Sequence, residues 1–149
     1  MNQEKRIQRI ENELRKLTIG NVFNKPKVGL ASLFQKLVRL RARDKNGNCK
    51  CFTCGKVQHW KEMDAGHFVS RNNKATILDP TNCHAQCKFC NRWGNGERDK
   101  YFLRMVERYG SEVVKELMTR TLPKNHVWDR RKLAELKVRY LDEIKELER

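Results

Sequence analysis

Cys51-x-x-Cys54 and Cys87-x-x-Cys90 repeat one spacing at two places in a chain of 149 residues. Each pair fits a tight knuckle that offers two thiolates to one ion. Four thiolates make the tetrahedral sulfur set that Zn²⁺ takes in structural sites. Two identical spacings argue against a coincidence of buried thiols. Thirty-two residues separate Cys54 from Cys87, more than a compact ribbon needs, so a structured insert is expected between the knuckles. Cys49 and Cys83 are left over. Cys49 could replace Cys51 in a C-x₄-C alternative, but the symmetry of the two pairs favours Cys51. Both spare cysteines read as small apolar residues.

A chain of this size fits one domain, or a small centre with helical extensions. Hydrophobic residues make up 38% and charged residues 34%, which calls for a modest core and amphipathic helices. The net charge of +15 points to a polyanionic partner, most simply nucleic acid. It is concentrated at the start, where residues 1–43 hold 11 basic and 3 acidic side chains. No apolar run reaches the length of a membrane span, and Met-Asn-Gln-Glu-Lys-Arg lacks the apolar core of a secretory signal. Six cysteines without an export signal imply reduced thiols and metal rather than disulfides, so a cytoplasmic location is expected.

Ile7, Ile10, Leu14 and Leu17 predict an amphipathic helix over 3–17, broken between Gly20 and Pro26. Leu30, Leu33, Phe34, Leu37 and Val38 predict a second over 30–43, with Lys36, Arg39, Arg41 and Arg43 mostly off its apolar face. Asp44-Lys-Asn-Gly47 reads as a turn. A strand is expected over Met63–Ser70, then a loop, a short strand or turn over Thr81–Gln86, and a helix starting near Cys87. Tyr101, Phe102, Met105, Val106 and Tyr109 form a helical stripe that Gly110 can cap. Further helices are expected from Ser111 and from about Asp129, the last carrying Leu133, Leu136, Tyr140, Ile144 and Leu147.

His67, Asn82 and Asn91 stand at chemically telling places around the second knuckle. A neutral imidazole can accept a proton from water near neutral pH, and an amide oxygen can help hold a divalent ion at a phosphate. Taken alone, His67 would read as a partly buried, hydrogen-bonded histidine. The arrangement resembles the zinc-bearing HNH (ββα-metal) nucleases. On that match His67 ends the first strand, Asn82 sits in the loop before the second knuckle, and Asn91 opens the helix. The resemblance assigns proton abstraction to His67, loop and histidine orientation to Asn82, and ion binding to Asn91. Such enzymes carry an acid immediately before the histidine. Here that position is Gly66, leaving Asp64 as the displaced acid and Asp79 as a weaker candidate.

Cys51-Phe-Thr-Cys-Gly, Asp64-Ala-Gly-His-Phe and Asn82-Cys-His-Ala-Gln-Cys-Lys-Phe-Cys-Asn91 are together similar to the lambdoid phage NinG (Rap) recombination proteins. So are the flanking Leu33-Phe…Leu40-Arg-Ala-Arg-Asp44 and Tyr109-Gly-Ser…Val114-Lys-Glu-Leu. That resemblance implies a structure-selective endonuclease acting on four-way junctions and D-loops in an infected bacterial cell, using Mg²⁺ or Mn²⁺ beside a structural Zn²⁺. His84 lies inside the pattern and is open between phosphate contact and loop bracing. Trp60, Trp93 and Trp128 read more readily as core than as stacking platforms. His59 and His126 are assigned nothing.

The expected architecture is α+β: a zinc-braced ββα-metal core over 49–98, a basic helical arm over 1–48, and a helical region over 99–149. Cys51, Cys54, Cys87 and Cys90 would bind the structural ion, and Asn91 with Asp64 the catalytic one. Lys36, Arg39, Arg41, Arg43 and His84 would contact branched DNA without reading sequence. A symmetric junction calls for two sites, hence a homodimer through the 3–17 helix or the Leu133–Leu147 stripe. The alternatives are an HNH nicking or homing enzyme and a nonenzymatic zinc module that binds nucleic acid.

Overall fold

The computed structural model describes residues 2–17 and 29–149. The break expected between Gly20 and Pro26 lies outside them. The chain forms two compact units, Met1–Leu37 with Lys124–Arg149, and Val38–Pro123. Within the first unit the last helix packs on the first.

In the first unit, Asn2 caps α1 (Gln3–Lys16) by accepting from the Glu4 N–H. Asp129 caps α5 (Arg130–Leu147) by accepting from the Arg131 and Lys132 N–H groups; such caps satisfy amides that no helical turn can reach. Ile10 and Leu17 are buried, as are Leu133, Ala134, Val138, Tyr140 and Ile144. Two ion pairs of 2.6 Å join the helices, Arg9–Asp142 and Lys137–Glu13. The two seams that the sequence offered to a partner copy therefore lie against each other. Phe34, in the first half of α2 (Leu30–Ala42), packs 6.1 Å from the Tyr140 ring.

The second unit holds two antiparallel pairs. The turn Asp44–Gly47 forms as expected, with the Asp44 carboxylate accepting from the Asn46 and Asn48 N–H groups. It leads into β1 (Asn48–Lys50), which pairs with β2 (Val57–His59). Between these strands Gly55, at φ 78°, closes the first cysteine knuckle. β3 (Met63–His67) pairs with β4 (Cys83–Cys87) in the register Met63↔Cys87, Asp64↔Gln86, Ala65↔Ala85, Gly66↔His84, His67↔Cys83.

β3 is shorter than the expected Met63–Ser70, because Asn82 takes over the backbone of Val69, as shown below. After β4 comes only a five-residue π-helical turn, Phe89–Trp93, rather than a full helix. Asn95, Gly96 and Glu97 all have positive φ and separate it from α3 (Arg98–Tyr109). Gly110, at φ 86°, then divides α3 from α4 (Ser111–Thr119). Tyr101, Met105, Val114 and Leu117 of these helices form a core with Phe68. No helix among the described residues is long and apolar enough to cross a membrane.

Candidate functional site

Cys51, Cys54, Cys87 and Cys90 bring their sulfurs within 4.8 Å of one another. A tetrahedral ion with metal–sulfur bonds of about 2.3 Å sets its sulfurs about 3.8 Å apart. The Cys54 and Cys87 sulfurs are separated by 3.8 Å. The backbone already favours thiolate, with the Cys87 N–H pointing at the Cys51 sulfur (3.2 Å) and the Cys90 N–H at the Cys87 sulfur (3.5 Å). Burial raises the Cys51 pKa, but hydrogen bonds from the Cys54 backbone, Thr53 and the Cys87 backbone outweigh it, and the net value falls to about 6. Cys90 is pushed the other way by burial, to about 12. The donor set therefore fits a soft structural metal such as zinc, which would displace the remaining thiol protons. Cys49 and Cys83 lie outside the cluster, both buried.

The knuckle ends directly on Asn91, whose Nδ2 donates to Asp64 Oδ2 at 2.9 Å across 27 residues of sequence. Arg92 adds a two-pronged contact, Nε to Oδ2 at 2.7 Å and Nη2 to Oδ1 at 2.9 Å. Burial opposes the Asp64 charge, yet the bonds from Arg92 and Asn91 win and hold its carboxyl below the ordinary value. An ionised carboxylate, an amide able to turn its oxygen inward, and a cation already drawn to them fit a hard divalent ion. Asp64 is therefore the acid that meets Asn91. Asp79 instead caps the turn before β4 through the Thr81 N–H and pairs with Arg120 at 2.6 Å.

Gly66 shares the Asp64 face of β3, as alternation requires. A Cβ there would come within 2.0 Å of Gln86 Oε1 and 3.1 Å of Asn91 Oδ1. Gln86 is fully buried, and its Oε1 lacks a hydrogen-bond partner. Neither Gln86 nor Arg92 was singled out by sequence reasoning. The register of β3 on β4 was the missing signal, since it pairs Gln86 with Asp64.

His67 has the opposite parity and turns to the other side of β3. Its Nε2 meets the Ile77 carbonyl at 2.9 Å and its Nδ1 lies 3.7 Å from the Cys83 sulfur. A carbonyl can only accept, so Nε2 carries the proton and Nδ1 keeps its lone pair. Burial first, then Arg71 and Lys74, lower its pKa against the pull of the Ile77 carbonyl.

Asn82 braces the same loop. Its Oδ1 accepts from the Val69 N–H (2.7 Å), and its Nδ2 donates to the carbonyls of Val69 and Thr76, both at 3.1 Å. Fixing Thr76 fixes Ile77 beside it, and so the His67 ring.

The expected phosphate contacts fare unequally. His84 is 8% exposed with both nitrogens engaged, Nδ1 to Tyr101 Oη at 2.9 Å and Nε2 to Tyr109 Oη at 2.8 Å. Tyr101 gives its own proton to the Gly66 carbonyl, so His84 braces both tyrosine hydroxyls at the wall of a basic cavity. Arg39 donates to the Met63 carbonyl at 3.2 Å and lies over the Trp60 ring, and Lys36 pairs with Glu148 at 2.6 Å. Of the four basic residues expected to meet DNA, Arg41 alone is exposed, and Lys36, Arg39 and Arg43, the last just past the end of α2, are half-buried. Sequence reasoning placed these cations off the apolar face but could not see what else packs there. Arg41 lines a cavity of about 330 Å³ with Lys50 and Arg108, both unmarked by the sequence reading. Trp60 is buried, but Trp93, next to Arg92, is 82% exposed.

Fold and site together define a basic α+β protein with a four-cysteine cluster that could hold a metal such as zinc. The chain belongs to the NinG family, whose sequence model, described as bacteriophage lambda NinG protein, matches residues 1–149. Protein ninG of Salmonella phage P22 is 27% identical over 133 residues, covering 89% of this chain and 64% of that protein. Protein ninG of Escherichia phage 933W is 26% identical, with 89% and 65% covered, and that of Escherichia phage lambda 26%, with 89% and 64%. The chain thus spans just under two thirds of the length of these relatives. No solved structure matches it significantly.

Proposed function

We propose that the protein is an HNH-type endonuclease that hydrolyses phosphodiesters of branched DNA without reading sequence. The observation that carries this reading is the meeting of Asp64 and Asn91 at 2.9 Å on a strand pair pinned at that same end by the cysteine cluster. A divalent ion held by Asp64 and Asn91 would supply positive charge at the scissile phosphate. His67 lies across β3 from that ion and would take the proton of the attacking water at Nδ1 in place of the Cys83 sulfur now beside it, with the Ile77 carbonyl fixing the tautomer. The depressed His67 pKa keeps the ring neutral and ready. Asn82 holds that loop in register. Arg92, forked onto Asp64 here, is an exposed guanidinium that would be suited to a phosphate if an ion took its place at that carboxylate. Lys50, Arg108 and Arg41 grip the backbone further along the strand.

His67→Ala tests the assignment. The variant is expected to keep its metal and its DNA affinity while cleavage falls about 10²-fold or more. Cleavage at the parental rate would remove His67 from the chemistry.

A second reading has its own support. His67 points away from the Asp64–Asn91 face, as a zinc module that binds branched DNA without cutting it would permit. Mn²⁺-dependent cleavage by the wild type separates the two.

A further inference from the structure

We propose that Gln86 is the third oxygen ligand of the divalent-ion site, its Oε1 standing in for the acid missing at position 66. This rests on the reading that Asp64 and Asn91 hold such an ion.

The orientation of the Gln86 amide is fixed. Its Nε2 donates to the Gly96 carbonyl at 3.0 Å and to Thr53 Oγ1 at 3.3 Å. The carbonyl can only accept, so the nitrogen must face it and the oxygen must face away. Gly96 in turn is set by a run of left-handed backbone from Asn95 to Glu97, with φ of 50°, 82° and 47°. Considerable local structure therefore serves to aim one oxygen, and that oxygen is buried without a partner. Buried acceptors are nearly always satisfied, and an exception calls for an explanation.

The surroundings of Oε1 supply one. It crowds the place where a side chain of residue 66 would begin, and Asn91 Oδ1 faces the same point. Asp64 lies directly across the ladder from Gln86, on the same face. Two amide oxygens from different elements thus face one spot beside Gly66, and the Asp64 carboxylate stands next to it on the same face of the sheet, held by the other end of the Asn91 amide. That is a hard, oxygen-only donor set, suited to Mg²⁺ or Mn²⁺ and unlike the sulfur cluster nearby. Residue 66 must be glycine because the oxygen reaches in from the neighbouring strand. The cation now at Asp64 is Arg92, which is exposed and can leave.

The test is Mn²⁺ binding, followed by electron paramagnetic resonance of the full zinc-loaded chain. Zinc content and thermal unfolding verify the fold of each variant. Gln86→Met is expected to weaken Mn²⁺ binding at least about tenfold. Gln86→Glu, which puts a charged oxygen at the same reach, is expected to tighten it. Asp64→Ala is expected to abolish saturable binding. If Asp64→Ala loses binding while both Gln86 variants match the wild type, Gln86 is only a brace and the Asp64–Asn91 site stands. Should Asp64→Ala bind as the wild type does, the ion site itself is wrong, and Gln86 falls with it. Where Gln86→Met does not fold, Gln86→Glu decides: tighter binding upholds the ligand role, and unchanged or weaker binding overturns it.

Discussion

Six cysteines divide into two kinds by their surroundings. Cys51, Cys54, Cys87 and Cys90 face each other, whereas Cys49 bonds weakly to the Arg39 carbonyl and Cys83 lies beside His67. Cys87→Ser is accordingly expected to yield metal-free, insoluble protein, because removing one sulfur dismantles the set that holds both knuckles. Cys49→Ser should fold with its full complement of zinc, which elemental analysis will read directly. His84 makes a further prediction. Burial and then Arg108 lower its pKa from 6.5 to about 4. The unfolded chain therefore takes up a proton that the native state refuses, and the native state loses stability as pH falls. The loss begins near pH 6.5 and runs to about pH 4, reaching about 3 kcal/mol. Denaturant titrations across that range will show it, and His84→Gln should flatten most of the slope.

The long helices were legible because their apolar stripes run for several turns. α1 and α2 fall within a residue of their expected limits, and the Gly110 break and the start of the last helix at Asp129 stand where the sequence put them. The strands were harder. β1 and β2 have three residues each and β3 and β4 five, too few for a period of two to stand out. The cysteine spacing disclosed that an ordered insert exists, and the pairing of Asp64 with Gln86 had no trace in local sequence. Arg92 escaped for the same reason, since its partner lies 28 positions away. Asn82 satisfies both backbone groups of Val69 and the Thr76 carbonyl. Asn82→Ala leaves these groups stranded in a buried place and should cost about 1–3 kcal/mol or more. Faster hydrogen exchange should appear over residues 68–78, while the cysteine cluster keeps its metal. Unchanged exchange would mean that the loop is held by something else.

At the scale of the molecule, α+β architecture and membership of the NinG family agree with the sequence reading, while the grouping of the helices does not follow sequence order. α1 and α5 pack on each other through ion pairs and apolar side chains. The charge of +15 remains the broadest statement the chain makes about its partner. Phosphate contacts release counterions, so affinity for DNA should fall about 10³-fold between 50 and 200 mM salt if six phosphates are engaged. Shape must then supply discrimination that charge cannot. The most direct measurement is cleavage of a synthetic four-way junction and a linear duplex of the same sequence by the zinc-loaded protein with Mg²⁺ or Mn²⁺. The proposed chemistry requires that the junction be cut near its branch point, that the duplex be cut far more slowly, and that Asp64→Ala cut neither. Equal cutting of both substrates, or no cutting by a wild type that binds the ion and the junction, would contradict it.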